Sequence, residues 1–311
     1  MTVLEVDPAG GLTLRDHVLD SLDTRFGTIQ QLEVIEHEGR SILLAAGTDG
    51  GLTALTLLPS GRLVVLDTII DTVSINLENI DHVSAMMTGD TLDVFVSSVA
   101  SASLTHLQMD LSGVASPIIG NSADNTLTGT SADDMIAGEI GDDTLSGSAG
   151  DDILHDGAGQ DVMTGGTGSD LFVLSADGDA DTITDFEVGV DRLDLSDWSF
   201  LYSAASISQT QTATGVILEF RDEVLTLHSQ NGQPNDISSW PSSYLLNIDR
   251  PYQGTFTAPD LMTGSNNGET LKGGTGINRI FGMGGDDIIT GGPGADHLDG
   301  GTGKDLSLIH I

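Results

Sequence analysis

The chain has no cysteine among its 311 residues. A disulfide framework and a thiolate metal site are therefore excluded. Basic side chains are nearly as scarce: 10 Lys and Arg stand against 47 Asp and Glu, a formal charge of −37. So acidic a chain repels nucleic acid and anionic membranes and attracts divalent cations. Aromatic residues make up only 4%. No apolar run reaches membrane-spanning length, so no transmembrane segment is expected. Met1 to Gly11 lacks the basic start and apolar stretch of a cleavable secretory signal. Catalytic signatures are missing as well. There is no H-E-x-x-H zinc helix, no G-x-S-x-G elbow, no P-loop and no dinucleotide fingerprint. The eight His are scattered, among them His17, His37, His82, His106, His155 and His297. No enzyme activity is expected of this chain by itself.

Glycine is abundant, with 40 residues, and its placement is periodic. Residues 120–173 divide without a gap into six nonads: GNSADNTLT, GTSADDMIA, GEIGDDTLS, GSAGDDILH, DGAGQDVMT and GGTGSDLFV. Position one is Gly in five of the six. Position six is Asn125 and then Asp134, Asp143, Asp152, Asp161 and Asp170. Position eight is always large and apolar: Leu127, Ile136, Leu145, Leu154, Met163 and Phe172. A disordered Gly/Asp linker has no reason to keep that eighth position apolar. The stretch holds 11 acidic side chains and no Lys or Arg.

Six Gly- and Asp-rich residues make a turn, and the last three a short strand. Neighbouring strand residues face opposite ways, so position eight points inward by itself. Two nonads then form one coil, and successive coils pair as parallel strands about 4.7–4.9 Å apart. One edge stacks Asp134, Asp152 and Asp170; the other stacks Asn125, Asp143 and Asp161. Like charges that close repel by about 1 kcal/mol in water and about 3–4 kcal/mol at an effective dielectric of 20. Backbone carbonyls turned by Gly129, Gly138, Gly141, Gly147, Gly150, Gly159 and Gly168 lie between the carboxylates. Hard oxygen ligands in a flexible cage suit Ca2+ better than zinc or magnesium. Metal binding and folding are then one event. An EF-hand does not fit, since its loop needs a Glu at position twelve and flanking helices.

The nonads resemble the RTX (haemolysin-type) calcium-binding repeat of secreted bacterial proteins. The resemblance implies parallel β-rolls, export by type I secretion machinery, an extracellular location and folding in external calcium. It is compatible with a surface protein carrying a cell-surface or carbohydrate ligand. The alternative is a piece of an RTX hydrolase whose catalytic domain lies outside this chain.

The remaining regions extend this reading to an all-β chain. Residues 1–119 carry a weaker repeat. Leu4-Glu-Val-Asp-Pro-Ala-Gly10 aligns with Leu55-Thr-Leu-Leu-Pro-Ser-Gly61 at an offset of 51, and Leu107 to Gly113 follows at 52. Asp16 to Asp20 also aligns with Asp67 to Asp71. Strand-like runs cover 42–46, 52–57, 94–99 and 104–109. A period near 50 with about four strands resembles a β-propeller blade, and two whole blades with part of a third make an incomplete ring. Residues 174–249 resemble the segment after the repeats of serralysin-type metalloproteases and are expected to cap the open coil end. They include a hairpin about Arg221-Asp222. Asp181, Asp185 and Asp191 are read there as a solvated face, with an added calcium site as the alternative.

Residues 250–259 read as a linker. Residues 260–305 form a second, truncated roll: GSNNGETLK, GGTGINRIF, GMGGDDIIT, GGPGADHLD and GGTGKD. Its expected ligands are Asp287, Asp296 and Asp305, with Gly282, Gly285 and Gly294. Glu269 and Asn278 replace Asp at position six of its entry turns, which argues against calcium there. Residues 306–311 break the repeat, since Ser307 stands at position eight, and read as a non-native tail encoded by a DNA-library adapter.

Overall fold

The computed structural model describes residues 1–6, 12–17, 29–48, 50–71, 77–100, 103–199, 201, 204–230, 256–257, 260–273, 278–292 and 297–308. Their regular elements are β-strands apart from one 3-10 turn at Ala204–Ser206.

The first nonad block is a parallel β-solenoid. One sheet runs Ile118–Asn121, Met135–Ile140, Ile153–Ala158, Leu171–Val173 and Arg192–Asp194. The opposite sheet runs Thr126–Thr128, Thr144–Ala149, Val162–Thr167, Ala180–Phe186 and Glu223–Ser229, all parallel. Leu127 pairs with Leu145 and Leu145 with Met163, a step of 18 residues, so two nonads make one coil. The position-eight side chains Ile136, Leu145, Leu154, Met163 and Phe172 are all buried in one core. Each such burial contributes about 1.5–3 kcal/mol.

That core continues into the segment that follows. Ile183, Phe186, Leu193, Leu195, Trp198, Val216, Leu218, Leu225 and Leu227 belong to it. The sheet turns antiparallel only at its end, where Gly215–Phe220 and Ser208–Gln211 follow Glu223–Ser229. The hairpin expected about Arg221-Asp222 is present, with Arg221 at φ 61°. These strands extend the sheet past the last parallel strand, with Ser208–Gln211 as its edge.

The N-terminal region forms small antiparallel sheets. Gln31–His37, Arg40–Ala46, Gly51–Leu57 and Leu63–Ile70 make one meander. Ile80–Thr88, Thr91–Ser98 and Ser103–Asp110 make a second, with Phe256–Thr257 as its fourth strand. Phe256–Thr257 is the part of the expected linker that is described. Glu38 and Gly39 both take positive φ, 50° and 80°, as a two-residue hairpin turn requires. The second sheet repeats the first: its strands at Thr91 and Ser103 start 51 and 52 residues after those at Arg40 and Gly51. A third pair, Thr2–Val6 and Leu12–His17, lies N-terminal to both.

These sheets pack on the outer face of the solenoid. Met135, Ile153, Leu171 and Val173 share a buried cluster with Leu44, Leu66, Val94 and Leu107. Two buried arginines clasp the contact. Arg40 donates to the carbonyls of Ala115 and Asp133. Arg62 donates to the Leu174 carbonyl, to Asp194 at 3.2 Å and to Ser196 at 2.8 Å.

The second block repeats the solenoid on a smaller scale. Asp260–Thr263, Asn278–Phe281 and His297–Asp299 form one parallel sheet, and Thr270–Lys272, Ile288–Thr290 and Leu306–Leu308 the other. Ser307 pairs with Ile289, so the backbone ladder continues into the segment where the side-chain pattern fails.

Candidate metal centre

Each turn of the solenoid is shaped by its glycines. At position four, Gly141, Gly150, Gly159 and Gly168 take φ of 124°, 117°, 133° and 137°, a region closed to side chains. At position one, a Cβ on Gly129, Gly138 or Gly147 would lie 2.4, 2.3 or 2.6 Å from a carbonyl oxygen of the next coil. Glycine there lets the coils close to sheet spacing.

This packing carries the position-six carboxylates inside. Asp134, Asp143, Asp152, Asp161 and Asp170 are each about 1% exposed. They form the two expected stacks, joined by the backbone. Oδ1 of Asp152 accepts the N–H of Asp134 at 2.8 Å, and Oδ1 of Asp170 that of Asp152 at 2.9 Å. On the other edge Asp143 accepts the N–H of Asn125, and Asp161 that of Asp143, both at 2.7 Å. The second oxygen is left over. Oδ2 of Asp143, Asp152, Asp161 and Asp170, and Oδ1 of Asp134, are buried without a hydrogen-bond partner.

Position five takes a different part. Asp142 and Asp151 accept the N–H groups of Gln160 and Ser169 one coil later, at 3.0 and 2.8 Å. Asp142 is exposed and Asp151 half-buried.

The stacks extend into the segment that follows, which favours the alternative of an added site over the solvated face. Asp181 and Asp191 are 5% and 4% exposed. Asp181 accepts the N–H of Asp161, and Asp191 that of Asp170, each at 3.0 Å. Asp185 is half-buried and accepts the N–H groups of Gly165 and Gly166. The sequence signal for Asp181 and Asp191 is weak because the stack steps by 20 and 21 residues there, not 18. Asp156, at position one of the fifth nonad, is also buried and was not anticipated.

Burial sets the electrostatics. It raises the carboxyls of Asp152 and Asp181 to about 7, Asp170 to about 8, and Asp161 and Asp191 to about 6. Backbone N–H groups pull these values back, and neighbouring Asp residues push them further up. An orphaned oxygen on a buried, repelled carboxylate is expensive unless a proton or a cation meets it. An all-oxygen set with several carboxylates is the donor chemistry of calcium, so the residues present fit that ion.

In the second block, Asp287 is buried and its Oδ2 is likewise unpartnered. Asp287 accepts the N–H of Glu269 at 2.8 Å, and half-buried Asp305 that of Asp287 at 3.0 Å. Gly285 takes φ of 107°, and a Cβ on Gly282 would meet Asp287 Oδ2 at 2.4 Å. Asp296 and Gly294 lie outside the described residues.

The family model described as the RTX calcium-binding nonapeptide repeat (4 copies) matches residues 119–154, 137–172 and 263–306. Both blocks carry RTX repeats. No curated protein matches the chain. Among solved structures, the AlgE6R2 subunit of the Azotobacter vinelandii mannuronan C5-epimerase is 28% identical with a TM-score of 0.36, over 42% of this chain and 91% of that one. The AlgE6R3 subunit of the same enzyme is 24% identical with a TM-score of 0.35, over 44% and 87%. The extracellular lipase LipA of Serratia marcescens is 15% identical with a TM-score of 0.35, and the match spans 71% of this chain but 31% of the lipase. Among the described residues no helix is long and apolar enough to cross a membrane.

Proposed function

We propose that this chain is a secreted calcium-binding protein whose RTX rolls fold on meeting extracellular calcium. The observation that carries the reading is the row of buried, unpartnered Asp oxygens at position six. Inside a calcium-poor cell those carboxylates oppose the coil. At the calcium concentrations typical of extracellular modules, about 10⁻⁴–10⁻³ M, the ion satisfies them and the roll closes. A chain kept unfolded until it leaves the cell suits export by type I secretion machinery. The Asp pairs, with the carbonyls of the position-one and position-four glycines, are the ligands in this reading. The chain acts as a binding and structural module, not as an enzyme. Its repeated N-terminal sheets resemble propeller blades and present a surface for a cell-surface or carbohydrate ligand.

Circular dichroism during a calcium titration of the full chain tests the folding step. The expected result is weak β signal in chelator and a cooperative gain with calcium, but not with equimolar magnesium. Full β signal in chelator overturns it.

A further inference from the structure

Asp156 occupies position one of the fifth nonad, where the other five nonads have glycine. Within the roll that position leaves no room for a side chain, because a Cβ there meets the carbonyl of the next coil. The coil above Asp156 is different. The stack steps 18 residues from Asp143 to Asp161 but 20 from Asp161 to Asp181, where the roll gives way to its cap. The Asp156 side chain is held by the backbone of this longer turn. It accepts the N–H of Gly157 at 2.5 Å and that of Ser175 at 2.9 Å.

Three buried carboxylates meet at this seam. Asp156, Asp161 and Asp181 each place an oxygen within 4.8 Å of the other two. A second observation shows that the group is incomplete. Oδ1 of Asp161 takes the N–H of Asp143, whereas Oδ2 is buried and unpartnered. In neighbouring nonads that oxygen faces position one of its own nonad: a Cβ on Gly138, Gly147 or Gly165 would lie 2.5, 2.1 or 2.2 Å from it. In the fifth nonad the residue so faced is Asp156. Arg62, whose charge is felt at Asp156, is bonded to Asp194 and Ser196.

We infer that Asp156 joins Asp161 and Asp181, the last pair of one carboxylate stack, in a three-carboxylate calcium site at the seam of roll and cap. The inference rests on the calcium reading of the repeats. Affinity in oxygen-ligand sites rises with the number of charged ligands, so this site fills before the others. Its occupant ties the cap strand Ala180–Phe186 to the fifth nonad, and the roll then closes from its capped end.

The test is calorimetric calcium titration of the full chain beside Asp156→Asn and Asp156→Gly, the latter restoring the repeat residue. Trp198, buried in the cap and stacked on Phe220, reports cap closure by fluorescence in a Trp240→Phe background. Both variants should bind the seam calcium about tenfold more weakly than the wild type, and their Trp198 transition should move to about tenfold higher calcium. If Asp156→Asn does not fold in calcium, Asp156→Gly decides the matter. Wild-type calcium affinity and an unmoved Trp198 transition in the variants overturn the role of Asp156 while leaving the repeat sites standing. A wild type that binds no calcium overturns the repeat reading, and this site with it.

Discussion

Two adjacent aspartates in the fourth nonad do different work. Asp151 is half-buried and accepts the Ser169 N–H, while Asp152 is buried with one oxygen unpartnered. Asp152→Ala should therefore weaken calcium binding by about tenfold or more, and Asp151→Ala by much less. Calorimetry on both variants measures the gap; equal losses would contradict the assignment. Protons compete for the same oxygens. The folded-state values of Asp152, Asp170 and Asp181, about 7, 8 and 7, lie above the unfolded value of about 3.9. Without calcium, the folded roll thus holds more protons than the unfolded chain between about pH 4 and pH 8, and its stability falls as pH rises through that window. In chelator, the β signal should be stronger at pH 5 than at pH 8. The calcium midpoint should move the opposite way, to lower concentration at pH 8, because the ligands must be deprotonated. A flat pH profile in chelator would refute this. At this scale the sequence shows the position-six carboxylates, since their spacing is strict. It does not show Asp156, whose burial depends on where the coil lengthens.

The element that repeats is a turn plus three strand residues, and its stability comes from position eight. Leu154 is fully buried between Ile136 and Phe172 in the register of one sheet. Leu154→Ala should cost about 2–5 kcal/mol in calcium, read from urea unfolding. A cost near zero would mean that the inner stack is not the core. Position eight, with its strict repeat of nine, makes the core legible in the sequence. Position seven carries a second signal, less obvious because it alternates. Met135, Ile153 and Leu171 are buried beneath the N-terminal sheets, whereas Thr126, Thr144 and Val162 on the other sheet are exposed. An apolar residue every eighteenth position marks one solenoid face as covered. The capping strands are legible as strands, but the parallel pairing of Ala180–Phe186 with Glu223–Ser229 is a long-range choice that no local pattern encodes.

Across the whole molecule, the scarcity of basic residues gives each one weight. Two of the ten, Arg40 and Arg62, lie buried where the N-terminal sheets meet the roll. Arg62→Ala leaves Asp194 buried and without this partner, and should destabilise the calcium-loaded chain by about 3–5 kcal/mol. Thermal unfolding in calcium checks this; an unchanged midpoint would mean that the clasp is incidental. The same contact links the halves of the chain, because the sheets rest on a face that exists only once the coils have closed. In the proposed reading calcium is what closes them. Backbone hydrogen exchange over residues 120–194 tests that most directly. The N–H groups of Asp134, Asp143, Asp152 and Asp161, each bonded to a carboxylate one coil on, should be protected in calcium and exchange freely in chelator. Equal protection in both conditions would contradict the account.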